Sequence, residues 1–199
     1  AKADFSQEII PITVKGDSVA KDGCIRPDTM LEKMATLAPA FDEKGMVTAA
    51  TSSPVTDGAA AVIVASEEYA DKNKLPKLAR IKSFAVAGIA PEIMGLGPVE
   101  ASRKALKRAG LELKDMDIIE LNEAFAVQAL AVIKELGIDQ SKLNLEGGAL
   151  ALGHPLGASG ARITGKAAQL LSQRGGKYAL ATMCIGGGQG IATVLEAVK

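Results

Sequence analysis

Residues 117–136, DIIELNEAFAVQALAVIKEL, decide the architecture. They read as a short strand over 117–121 and, past Asn122, a helix over 123–136. Outward from this unit the same alternation recurs. Upstream lies a strand over 78–87, then a helix opened by Pro98 and closed by Gly110, with proline at the first turn and glycine past the last. Downstream come a brief strand around 143–145, a helix over 159–173, and two strands, 178–184 and 190–196, joined by glycine-rich residues 185–189. Strands alternating with helices and ending in a hairpin predict an α/β mixed sheet with helices on its faces.

The first stretch is less regular. An apolar segment over 9–14 precedes a polar turn at 15–23. Asp28 is expected to cap a helix whose face carries Leu31, Met34 and Leu37, with Pro39 ending the pattern. Residues 58–65, GAAAVIVA, form a continuous apolar run and predict a buried strand. Such a strand needs neighbours, and few candidates lie nearby in the chain.

Composition narrows the function classes. With 199 residues and 48% apolar content the chain can bury a substantial core, and 23 charges of each sign argue against broad binding to nucleic acid or an anionic membrane. No apolar run reaches the roughly 18–20 residues a membrane span needs, and no targeting segment is visible, so a cytoplasmic location is expected. The two cysteines, Cys24 and Cys184, lack CxxC spacing and there is one histidine, so no metal site is expected.

Three segments place reactive side chains at strand ends or in glycine-rich turns: Asn122-Glu-Ala-Phe125, Gly153-His154-Pro155 and Cys184-Ile-Gly186. Loops beyond the carboxyl ends of parallel strands are where open α/β sheets hold ligands. His154 between glycine and proline has a structural reading as well as a catalytic one; the surrounding glycines, which let backbone and substrate approach, favour the second. Cys184 reads either as a buried thiol ending a strand or as a proton-transferring group beside the amides of Gly186, Gly187 and Gly188. Asn122 reads as the N-cap of the following helix, a role compatible with holding a water. Cys24, in a charged loop, reads as incidental. No dinucleotide, Walker or GxSxG signature is present.

In this order and spacing the three segments resemble the C-terminal half of the thiolase family. Arg26-Pro-Asp-Thr, Pro39-Ala-Phe41, Thr56-Asp-Gly-Ala-Ala-Ala61, Met94-Gly-Leu-Gly-Pro98 and residues 147–163 extend the likeness to essentially the whole chain. The resemblance implies a layered αβαβα fold in which each half contributes a five-stranded sheet. Residues 1–77 then correspond to the end of a loop domain and the last strand and helix of the first half, and residues 78–199 to the C-terminal domain. That placement accounts for the isolated strand near Val62.

Carried over position by position, the resemblance makes His154 the group that activates a nucleophilic cysteine expected upstream of Ala1. Cys184 becomes the acid or base at the substrate α-carbon. Asn122 holds a water that forms an oxyanion hole with His154, and the Gly186 amide belongs to a second one. Phe41, Ser53, Ala124 and Phe125 match a pantetheine channel and Arg26 a cation near the adenine end of coenzyme A, which is a substrate, no separate cofactor being implied. Ala50-Thr-Ser-Ser53 is nearer the degradative 3-ketoacyl-CoA thiolases than the acetoacetyl-CoA enzymes, and Glu146 stands where asparagine is usual. The expected activity is thiolysis of 3-ketoacyl-CoA, as in fatty-acid β-oxidation, with this chain inactive alone. The expected partners are an acyl-CoA, the missing first half and, in the intact enzyme, further copies as a dimer or tetramer. Biosynthetic condensation uses the same residues in reverse, and a noncatalytic CoA-binding or assembly module is the alternative outside catalysis. Ketoacyl synthases share the layered fold, but normally use a second histidine or an asparagine where Cys184 stands.

Overall fold

The structure, a computed structural model, describes residues 5–198; the outermost ends of the two expected segments, residues 1–4 and 199, lie outside the described residues. A small hairpin comes first, β1 (Ile12–Val14) and β2 (Asp17–Val19), turned by Lys15 and Gly16 at φ 52° and 96°. Two consecutive left-handed residues match the twist of the flanking strands, and the second being glycine removes its Cβ penalty. Two short helices follow, α1 (Leu31–Met34) and α2 (Glu67–Lys72), the latter capped by Ser66, whose side chain accepts from the Tyr69 amide.

The remainder builds one sheet from β3 (Ala79–Gly88), β4 (Ile118–Leu121), β5 (Tyr178–Ile185) and β6 (Gln189–Ala197), in the order β3-β6-β5-β4. β4 and β5 run parallel, while β5–β6 and β3–β6 are antiparallel, so the sheet is mixed. Side chains alternate between its faces. Ala85, Ala87, Ile119, Leu121, Leu180, Ala192 and Val194 pack against α3 (Gly97–Ala109) and α4 (Ala126–Leu136), whereas Ile118, Ala179, Ala181, Met183 and Leu195 pack against α6 (Leu156–Arg174). One further short helix, α5 (Ala149–Leu152), leads into α6. Fully buried Leu170, Leu171 and Leu180 each contribute about 1.5–3 kcal/mol by leaving water. Helix α3 starts so close to β6 that a Cβ on Gly97 would lie 2.3 Å from the Gln189 carbonyl oxygen and one on Gly190 would lie 2.1 Å from the Gly97 carbonyl carbon.

Several expectations change. Residues 58–65 form no regular element and join no ladder among the described residues, and Val62, Ile63 and Val64 are 46%, 90% and 73% exposed rather than buried. The run supplies strand propensity, but among the described residues no strand lies beside it to complete the hydrogen bonds. α1 is a single turn with Met30 at its N-cap and no side-chain cap, so Asp28 does not serve there; Leu31 is 78% exposed, and a helix this short without packing does not extend. The brief strand expected at 143–145 reduces to one parallel bridge, Ile119 to Leu143. Asn144, at φ 43°, turns the chain away, and its own amide takes the place of a strand: Oδ1 accepts from the Leu121 N–H at 2.9 Å and Nδ2 donates to the Leu121 carbonyl at 2.9 Å. Among the described residues the sheet therefore has four strands and a bridge where five strands were expected.

Candidate active site

The parallel pair β4 and β5 ends side by side, Leu121 opposite Thr182, and the next backbone step is the Asn122 N–H donating to the Thr182 carbonyl at 3.0 Å. Asn122 thus leaves the sheet at the carboxyl end of a parallel strand pair, the end at which open α/β sheets hold ligands. It does not cap α4, whose N-cap is Phe125. Residues 123–125 stay outside the helix, with Ser52 bridging to Phe125 and the Ala124 carbonyl accepting from both the Ser53 N–H and its Oγ at 3.0 Å. Released from capping, the buried Asn122 side chain meets the imidazole instead, with Nδ2 3.3 Å from His154 Nε2.

His154 enters on the turn between α5 and α6. Gly153 has φ 101° and is buried with its α-carbon against Thr56, so a Cβ there would sit 2.6 Å from Thr56 Oγ1. The protonation pattern follows from one chain of hydrogen bonds. Ser159 Oγ donates to the Pro155 carbonyl at 3.1 Å and lies 2.6 Å from His154 Nδ1, so it accepts a proton from Nδ1–H. Nε2 is then the bare nitrogen, and the Asn122 amide faces it as donor. The opposite tautomer would require Ser159 to donate to Nδ1 and surrender the Pro155 carbonyl. Burial, and secondly the Arg162 charge, lower the imidazole pKa below its ordinary value of 6.5, keeping the ring neutral.

Glu123 braces the same turn. Its carboxylate accepts from Asn144 Nδ2 at 3.0 Å and from the Leu150 N–H, at the start of α5, at 3.1 Å, and it fills the space over Gly148 so closely that a Cβ there would lie 2.3 Å away. Nearby on β4, Glu120 is buried with Oε1 unpartnered among the described residues; burial raises its pKa to about 8 against the partial relief of Arg162 and Lys166. Glu146 pairs with Lys166 and Arg174 of α6, its carboxyl lowered chiefly by the Lys166 hydrogen bond.

Cys184 is buried near the end of β5, opposite Gly190, and burial raises its thiol above the ordinary value. The hairpin beyond it turns on Gly187 and Gly188, at φ 80° and 85°, with Gly188 pressed on the Ile89 carbonyl; Gly186 is exposed with open space on its α-carbon. Phe41 and Phe125 meet edge to face at 6.0 Å, and Ser53 touches Ala124, so these four channel candidates form one group. Arg26 is exposed, its carbonyl accepting from Thr29 Oγ1 at 2.9 Å. Among the described residues no group of three or more His, Cys, Asp or Glu could hold a metal ion, and no helix is long and apolar enough to cross a membrane. Ser159, Thr56 and Glu123 are the contributors that sequence reading missed; only the buried-charge pattern of Glu120 in an apolar strand carries a local signal.

Residues 75–197 match the family described as Thiolase, C-terminal domain, and residues 1–68 match Thiolase, N-terminal domain. The mitochondrial 3-ketoacyl-CoA thiolase of Homo sapiens is 52% identical over 196 residues, covering 96% of this chain and 49% of its own length. A 3-ketoacyl-CoA thiolase of Marinobacter nauticus is 52% identical over 203 residues, covering 98% and 52%. The crystal structure of human mitochondrial 3-ketoacyl-CoA thiolase in complex with CoA superposes with a TM-score of 0.92 at 53% identity, covering 94% of this chain and 48% of that one. The chain spans about half the length of the curated relatives it matches.

Proposed function

Because the chain belongs to the thiolase family, we propose that it is the C-terminal half of an acyltransferase that cleaves 3-ketoacyl-CoA with coenzyme A to acetyl-CoA and a shortened acyl-CoA. The observation that carries this reading is the Ser159–His154–Asn122 chain, which leaves Nε2 bare and neutral beside an amide donor at the carboxyl end of a parallel strand pair. A neutral imidazole can take the proton of a thiol nucleophile and, once protonated, offer Nε2–H to the oxyanion that forms when the thiolate adds to the 3-keto carbon. Asn122 then helps to hold a water in that oxyanion hole.

The raised pKa of Cys184 keeps its thiol protonated at neutral pH, the form needed to give a proton to the α-carbon as the carbon–carbon bond breaks. The exposed Gly186 amide is suited to a second oxyanion hole. Phe41, Ser53, Ala124 and Phe125 line the pantetheine path and Arg26 meets the adenine end of coenzyme A. The nucleophilic cysteine, on this reading, comes from a first half outside these 199 residues. That half packs on the exposed backbone of residues 58–65 and on the α6 side of β3, where Phe84 and Val86 are 61% and 48% exposed. Condensation in the reverse direction would use the same groups; the names of the relatives favour cleavage.

The test is 3-ketoacyl-CoA cleavage by the chain alone and after mixing with a thiolase first half that carries the nucleophile. Cleavage only in the mixture, abolished by His154→Ala, is expected. Cleavage by the chain alone would overturn the placement of the nucleophile, and silence in both with CoA binding retained would make the chain a noncatalytic CoA-binding module.

A further inference from the structure

The segment from Ser52 to Val62 runs beside both loops that supply the site. Ser52 bridges to Phe125 and Ser53 bonds to the Ala124 carbonyl. Thr56 then meets Gly153 and His154, while Cβ atoms built on Gly58 and Gly165 would lie 2.9 Å from Pro155 and 3.0 Å from Val62. In the middle of this track the Thr56 hydroxyl donates to the Pro54 carbonyl at 2.6 Å, so a lone pair of Oγ1 is free to accept the His154 N–H at 3.2 Å, across 98 positions of sequence. That hydroxyl is the acceptor for the His154 amide among the described residues, and its methyl and Oγ1 occupy the space a Cβ on Gly153 would need.

We infer that Thr56 is a positioning residue for His154, locking the Gly153–His154 turn to the segment that carries Ser53, so that the imidazole is held in register with the substrate channel. Ser53 and Thr56 are three positions apart in sequence, one fixed to the Asn122 loop and the other to the His154 turn. A displacement of either loop relative to this stretch breaks the contact between Asn122 and the imidazole. The inference rests on His154 being the catalytic base, and its test involves no turnover, so failure of the thiolase reading shows only in the mixing assay.

Because His154 is the one histidine of the chain, its ring signals and amide are assignable by NMR without ambiguity. The chain and four variants are compared: Thr56→Val and Thr56→Ala, which remove the acceptor, Thr56→Ser, which keeps it, and Ser66→Ala, which removes the α2 cap and serves as a control for general destabilisation. Expected in Val and Ala are about tenfold faster exchange of the His154 amide and a ring titration moved toward the ordinary histidine value, with Ser and the cap variant like the parent. Should Val fail to fold, Ala, which adds no bulk, carries the comparison. Unchanged exchange and titration in Val or Ala, equal changes in the cap variant, or faster exchange with an unmoved titration would overturn the inference.

Discussion

Ser159 Oγ accepts from His154 Nδ1 at 2.6 Å while giving its own proton to the Pro155 carbonyl, so a serine five residues along the chain selects the imidazole tautomer. Removing that selection has a defined consequence. Ser159→Ala should leave Nδ1 without its acceptor and let the ring populate both tautomers. In the mixed-half assay kcat is expected to fall roughly tenfold to a hundredfold with KM little changed, since orientation rather than binding is lost. Stability should move by no more than about 1 kcal/mol, one hydrogen-bond network being exchanged for better helix propensity. An unaltered kcat would remove Ser159 from the site.

The acid side of the pH response follows from His154. Its folded pKa lies below the ordinary 6.5 because burial, then Arg162, disfavour the imidazolium. The stability it contributes is present above 6.5 and is lost as pH falls through the folded value, because the unfolded chain takes up the proton first. Proton NMR of the single ring should give a midpoint below 6.5; a midpoint above it would mean that a carboxylate, not burial, governs the site.

Glu120 works in the opposite direction. Its pKa is raised from 4.5 to about 8, mainly by burial, so the stability linked to it is complete below 4.5 and is lost as pH rises toward 8. Glu120→Gln keeps the shape and cannot ionise. Its melting temperature should exceed that of the parent at pH 9 and match it more closely at pH 5; an equal difference at both would show that ionisation is not the cost.

Backbone contact between α3 and β6 leaves no room for a side chain. Gly190→Ala places a Cβ 2.1 Å from the Gly97 carbonyl carbon, with backbone on both sides and no flexible neighbour to yield. A loss of about 3 kcal/mol or more is expected in denaturant unfolding, at the upper end of overpacking effects. Gly186→Ala, facing open space, should cost under about 1 kcal/mol.

Local signals made much of this legible. Pro98 and Gly110 marked α3, observed as Gly97–Ala109 with Gly110 left-handed at φ 69°, because both residues act through their own backbone torsions. The final hairpin emerged at Tyr178–Ile185 and Gln189–Ala197 for the same reason, its glycines providing the turn. Residues 58–65 show the limit of such reading. Their apolar run was visible, yet a strand exists only with a partner, and propensity says nothing about whether one is beside it.

The site divides along the same line. Asn122, His154 and Cys184 were visible by themselves, as reactive residue types that the sequence alone assigned to strand ends and glycine-rich turns of an α/β sheet. The tertiary structure decided which nitrogen of His154 is bare, turned Asn122 from a helix cap into its partner, and brought Thr56 and Glu123 to the turn from 98 and 31 positions away. Hydrogen bonds and burial depend on distances between chain segments, and those distances are fixed only when the sheet and its helices pack.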